Sequence, residues 1–165
     1  MAITLPDDEL WQFVSQARTG MLSTLRRDGW PVTLPVWFVV LDELVYVPSF
    51  AGLKKVTRLQ RDPRASFLIE SGEVWTELRA VTMSVTGAVV TGGERFDAAT
   101  AALDVKYPAG VAAPYDRMPA AAQKYYGESR VVLELTPTGA PISWDNARLR
   151  LAPVESQQLQ AHQDR

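Results

Sequence analysis

The turns constrain this chain more than any other feature. Asp28-Gly29, Asp42-Glu43, Ser71-Gly72 and the segment 137–140 each separate two runs of apolar, β-branched or aromatic residues. Asp-Gly between such runs is a strong hairpin signal. Connections this short join antiparallel neighbours, because a parallel pair needs a crossover of a dozen or more residues. The runs predict about seven strands, at 21–26, 30–41, 44–48, 64–70, within 74–90, and at 130–136 and 141–147. Closing such a sheet removes its edges, so the expected fold is mainly β: an antiparallel β-barrel with flanking helices. Helices do not alternate with strands, which argues against a doubly wound parallel sheet.

Pro31 and Pro35 interrupt the second run. Proline cannot donate to a ladder, so this strand is expected at an edge or a bulge, where a ligand can reach free backbone groups. Four helices are expected. The first covers 6–18, with Asp7, Asp8 and Glu9 at its positive end, Leu10, Phe13, Val14 and Ala17 on its apolar face, and Gly20 as its stop. The second covers 54–61, with Val56 and Leu59 inward and Asp62-Pro63 as its stop. The third covers 94–106, with Phe96, Ala99, Leu103 and Val105 partly inward. One or two helical turns fall at 120–126. The whole chain, 1–165, reads as a single domain with a polar tail at 152–165.

Composition excludes several chemistries. Without cysteine there are no disulfides, thiolate nucleophiles or Cys-based metal sites. The lone histidine, His162, lies in the tail, which rules out a His-based triad, a multi-His metal site and haem ligation by a core His. No metal is expected. A net charge of −2 disfavours a nucleic-acid partner, and the basic residues cluster on one helix rather than interleaving with aromatics. No apolar run approaches the roughly 20 residues that span a bilayer. The N-terminus lacks a signal-peptide pattern. A cytoplasmic protein with no membrane partner fits these features.

One stretch carries candidate chemistry: VYVPSFAGLKKVTRLQRDPRASFLI, residues 45–69. Ser49 ends a strand, and Lys54, Lys55 and Arg58 open a helix. A helix N-terminus offers free N–H groups and a partial positive charge, and both favour an anion such as phosphate. The same residues would also suit a solvated basic surface, with Arg61 and Arg64 nearby. No glycine pattern matches a P-loop or a dinucleotide fingerprint.

The order of elements resembles the pyridoxamine 5′-phosphate oxidase-like superfamily, also called the flavin/deazaflavin oxidoreductases, which has a split β-barrel. The matching stretches are GMLSTLRRDGWPVTLPVWFVV, LVYVPSFAGLKKVTRLQRDPRASFLIE, VTMSVTGAVV and ISWDNARL. The resemblance implies a homodimer with a cofactor site at the subunit interface. It implies FMN or the deazaflavin coenzyme F-420, with the phosphate at Ser49, Lys54, Lys55 and Arg58. It implies a ring lying along Thr33, Pro35, Val36 and Trp37. Trp75 and Trp144 are candidates to close the site from the facing subunit, or to serve simply in packing. True pyridoxamine-phosphate oxidases read their substrate with Arg, Tyr and His near the C-terminus, and Trp144 to Arg148 with an isolated His162 does not match that pattern. The expected activity is therefore hydride transfer between the cofactor and a small unsaturated or quinone-like molecule. A non-catalytic flavin carrier or sensor is the alternative. Hydride transfer needs no protein nucleophile, which suits the absence of Cys and core His. For a proton donor, Tyr46, Tyr107, Tyr115 and solvent stay open.

Overall fold

The computed structural model describes residues 3–108, 115–126 and 129–149. His162 and the 152–165 tail lie outside the described residues, as does the side chain of Tyr115. Eight strands form one antiparallel sheet: β1 (Gly20–Leu25), β2 (Pro31–Val36), β3 (Val39–Leu41), β4 (Leu44–Phe50), β5 (Arg64–Ser71), β6 (Arg79–Val90), β7 (Arg130–Pro137) and β8 (Ile142–Asp145). Their order is β2-β1-β5-β6-β7-β4-β3, with β8 added onto β6. The two ends of this order, β2 and β3, are consecutive in the chain. One continuous segment thus pairs with β1 at one edge and β4 at the other, and so draws the sheet around its core.

The expected single strand at 30–41 is therefore two strands. It breaks at Trp37-Phe38, where the chain leaves β1 to join β4. The edge position expected from Pro31 and Pro35 is found, since β2 is a terminal strand of the order. Its edge location also leaves Trp30 68% and Leu34 41% exposed, although both share the predicted inward alternation with buried Val36 and Phe38.

Alternation along the strands sends Leu22, Val45, Val47, Phe67, Ile69, Val81, Met83, Val85, Val131, Leu133 and Leu135 into one core. Phe38 meets Phe67 edge-to-face at 5.0 Å. Helix α1 (Asp7–Gln16) adds Leu10 and Val14 to this core, and α2 (Lys54–Arg61) adds Val56 and Leu59. Leu59 fits only because Gly87 on β6 has no side chain: a Cβ there would lie 2.8 Å from a Leu59 methyl.

Helix α3 (Glu94–Lys106) packs Ala99 and Leu103 on Val39, Tyr46 and Val132, on the other face of β3, β4 and β7. Val105 is 84% exposed rather than inward. It sits about 200° around the helix from Leu103, on the far side from the sheet. The short helix α4 (Ala120–Tyr126) follows a 3-10 turn at Tyr115–Arg117.

Gly20 does not stop α1, which ends at Gln16 with Ala17 already extended. Gly20 opens β1 and is required there for a different reason. A Cβ would come within 2.3 Å of the Phe67 ring. Among the described residues, no helix is long and apolar enough to cross a membrane.

Candidate functional site

The parting of β2 from β3 opens a cleft. β3 pairs with β4 only from Val39–Tyr46 to Leu41–Leu44. The C-terminal half of β4, Val47–Phe50, pairs with β7 on one side and, among the described residues, with no strand on the other. Had the β3–β4 register continued backwards, Val36 would stand opposite Ser49. Instead β2 turns away to pair with β1, from Gly20–Val36 to Leu25–Pro31. Two strand edges without ladder partners, Pro31–Val36 and Val47–Phe50, are left flanking the gap, and free edges of this kind accept hydrogen-bonding ligands.

Helix α2 starts where the β4 edge ends. Its cap residue, Leu53, supplies no side-chain hydrogen bond, and the first turn holds no acidic residue. Val56 and Thr57 donate to the Leu53 carbonyl at 2.9 and 3.3 Å, so the N–H groups of Lys54 and Lys55 lie ahead of the first turn. Such uncapped donors, with the helix dipole behind them, suit an anion. Lys54 is exposed, while Lys55 and Arg58 are half-buried. Among the described residues no carboxylate pairs with any of the three; nearby Asp62 is taken by Arg64 at 2.8 Å. Burial pushes the Lys55 ammonium below its ordinary pKa of 10.5, with no acid to restore it. A partly desolvated cation without a partner is costly, and a bound anion would relieve that cost. The residues present therefore fit a phosphate.

The strands place the other candidates around the same cleft. Thr33 is exposed on β2, its hydroxyl 2.7 Å from that of Ser23. Pro35 is exposed and Val36 is buried. Trp37 is half-buried and stacks flat on Tyr107, with ring centres 4.6 Å apart and planes 5° from parallel. Ser49 differs from the rest. It shares the alternation of Val45 and Val47, faces the barrel interior at 3% exposure, and its hydroxyl has no partner.

Trp75 and Trp144 stand apart. Trp144 is on β8, opposite Ala80 of β6. That is four strand spacings from β2, or about 19 Å. Trp75 opens a 3-10 turn at Trp75–Glu77, is 57% exposed, and is held through its carbonyl by the Asn146 side-chain amide at 2.8 Å. Within one chain neither joins the cleft. Of the tyrosines, Tyr46 is committed elsewhere: it is buried and donates to Glu134 at 3.0 Å, and Arg95 holds Glu134 at 2.8 Å.

From the sequence, Tyr107 stands only as a candidate proton donor. In the structure it is a contact hub with Trp37, Phe38, Arg18 and Lys106. The Tyr107 ring also lies 5.2 Å from the Arg18 guanidinium carbon. No local pattern could reveal this, because Tyr107 and Phe38 are 69 positions apart.

A family model described as pyridoxamine 5′-phosphate oxidase matches residues 6–141. No curated protein matches the chain significantly. Among solved structures, the conserved hypothetical protein Rv2991 from Mycobacterium tuberculosis is 25% identical, over 95% of this chain and 98% of its own, with a TM-score of 0.73. An F420 reductase is 19% identical, over 78% of this chain and 92% of its own, with a TM-score of 0.57. HutZ, the haem storage protein from Vibrio cholerae, is 15% identical, over 87% of this chain and 96% of its own, with a TM-score of 0.63. At these identities the last two share the fold alone.

Proposed function

Because the chain belongs to the pyridoxamine 5′-phosphate oxidase family, we propose that its cleft binds a flavin-type cofactor, coenzyme F-420 or FMN, and that the protein is an oxidoreductase. The observation that carries this reading is the cation set at the start of α2, with which no carboxylate pairs among the described residues, beside two free strand edges. Lys54, Lys55 and Arg58 would hold the phosphate. Thr33, Pro35, Val36 and Trp37 would line the ring. When bound, such a cofactor supplies hydride chemistry. The chain's own work is to neutralise the phosphate charge, to orient the ring along β2 and to keep water off the Val36–Trp37 end of the cleft. The substrate is a small unsaturated or quinone-like molecule rather than pyridoxamine phosphate.

Haem is the competing cargo among structures of this fold. The described residues include no histidine or cysteine to ligate a haem iron, which favours a flavin. A second copy of the chain would complete the site. The outward row Pro35, Met21, Leu68, Thr82 and Ile142 runs across β2, β1, β5, β6 and β8, and α3 packs on the other half of the sheet. Ile142 in that row is 66% exposed. In such a dimer Trp75 and Trp144 would belong to the partner's side of the cleft. Titration of the purified protein with FMN and with F-420, followed by fluorescence, tests the cofactor. Turnover of the reduced cofactor with a panel of acceptors then separates an enzyme from a carrier or sensor. Sedimentation equilibrium tests the dimer.

A further inference from the structure

The cleft exists because the chain crosses at Trp37-Phe38 from the β1 ladder to the β4 ladder. The Phe38 N–H and C=O face away from β4: the Asp42-Glu43 turn makes Leu41–Leu44 and Val39–Tyr46 the hydrogen-bonded pairs of that ladder, and the Arg26 N–H bond to the Trp30 carbonyl makes Gly20–Val36, and next Arg18 with Phe38, the hydrogen-bonded pairs of the β1–β2 ladder. The Tyr107 hydroxyl stands between Phe38 and Arg18 and takes these groups. It accepts from the Phe38 N–H at 3.1 Å and lies 2.9 Å from the Phe38 carbonyl. Its proton can go to that carbonyl or to the Arg18 carbonyl at 2.6 Å. One phenol thus occupies both backbone groups of Phe38 on the side where Arg18 would close the next pair of the β1–β2 ladder.

Tyr107 is itself fixed in place. It caps α3, its N–H bonds the Leu103 carbonyl at 2.8 Å, and Leu103 is buried against the sheet. The flat stack on Trp37 pins the residue at which β2 departs. Lys106 adds a second tie, with its ammonium 2.9 Å from the Ser15 carbonyl and 4.4 Å from the Phe38 ring centre.

We propose that Tyr107 is a positioning residue that stops the β1–β2 ladder short of Phe38, fixes where the chain crosses to β4, and so holds the cleft open for the cofactor ring. This rests on the cofactor reading above. The role is specific to the ring end, because Lys54, Lys55 and Arg58 sit on α2, which Tyr107 does not touch.

The test compares the wild type, Tyr107→Phe and Lys55→Met. Tyr107→Phe keeps a ring to stack on Trp37 and loses only the hydroxyl. Hydrogen exchange of the cofactor-free protein reports the ladder stop. The Phe38 amide should exchange faster in Tyr107→Phe, while Val45 and Val47 keep their protection. Affinities for FMN and for riboflavin, which lacks the phosphate, report the ring seat. Tyr107→Phe should weaken both by a similar factor, roughly tenfold for one lost buried hydrogen bond. Lys55→Met should weaken FMN and spare riboflavin. Unchanged Phe38 exchange overturns the ladder stop. Loss confined to FMN, or protection lost evenly across all strands, overturns the positioning role. A wild type that binds FMN, riboflavin and F-420 equally poorly sinks the cofactor reading and the ring-positioning with it; the Phe38 exchange still decides the ladder stop.

Discussion

Replacing Lys55 with methionine should move stability and affinity in opposite directions. The stem packs as before, because methionine is nearly isosteric with the lysine chain up to the ammonium. What is lost is a half-buried charge that has no carboxylate partner among the described residues. In the cofactor-free protein that charge is a liability, so the variant should melt at the same temperature or higher. The sign also follows from linkage. The folded pKa of Lys55 lies below the unfolded value, so the folded chain gives up its proton first. Stability contributed by this residue therefore rises with pH between the depressed folded pKa and 10.5, and the variant lacks that rise. With cofactor the sign reverses. A charge-assisted hydrogen bond to phosphate is worth about 1.5–3 kcal/mol, which corresponds to a roughly 10- to 150-fold weaker Kd. Calorimetric melts of the free protein and fluorescence titration with FMN and F-420 measure the two quantities. An unchanged Kd for both cofactors, or a melting point several degrees lower in the free protein, would refute the reasoning; the second result would mean that Lys55 already has a stabilising partner.

Three further outcomes follow from packing and charge. Gly20→Ala should destabilise by about 1–3 kcal/mol, because the new Cβ meets the buried Phe67 ring and that ring is held against Phe38; urea denaturation checks it, and a neutral substitution would mean that the ring can move aside. Glu134→Leu should cost about 1–3 kcal/mol, since the buried Tyr46 hydroxyl loses its acceptor while exposed Arg95 turns to water; Tyr46→Phe in the same background should recover much of the loss. Burial, with Arg18 close by, lowers the Lys106 pKa to about 8. The unfolded chain keeps that proton up to about 10.5, so wild-type stability should rise with pH across that window relative to Lys106→Met. A constant difference between the two urea midpoints from pH 8 to 10.5 would count against it.

The helices at 54–61, 94–106 and 120–126 were readable because capping, periodicity and proline stops act over a few residues. The hairpins were readable for the same reason, and the Asp42-Glu43 turn does carry the positive φ angles of 50° and 61° that a tight connection demands. Gly20 shows the limit of local reading. A glycine after a helical pattern looks like a stop, yet this one yields to a ring 47 positions later in the chain. Val105 shows another limit, since a helix with little amphipathic contrast does not announce which of its apolar residues faces the sheet. Ser49 lay where a phosphate ligand was expected, but the inward alternation of β4 gives its hydroxyl to the core.

By itself the sequence determined that the strands would be antiparallel, that the proline-interrupted run would lie at an edge or a bulge, and that three cations would gather at one helix start. These follow from turn lengths, proline chemistry and charge spacing, all of which act locally. Only the tertiary structure decided that 31–41 is shared between two edges of one sheet, and that a cleft opens where it parts. That outcome depends on which distant group takes the Phe38 backbone, and the phenol that does so is brought there by the packing of α3.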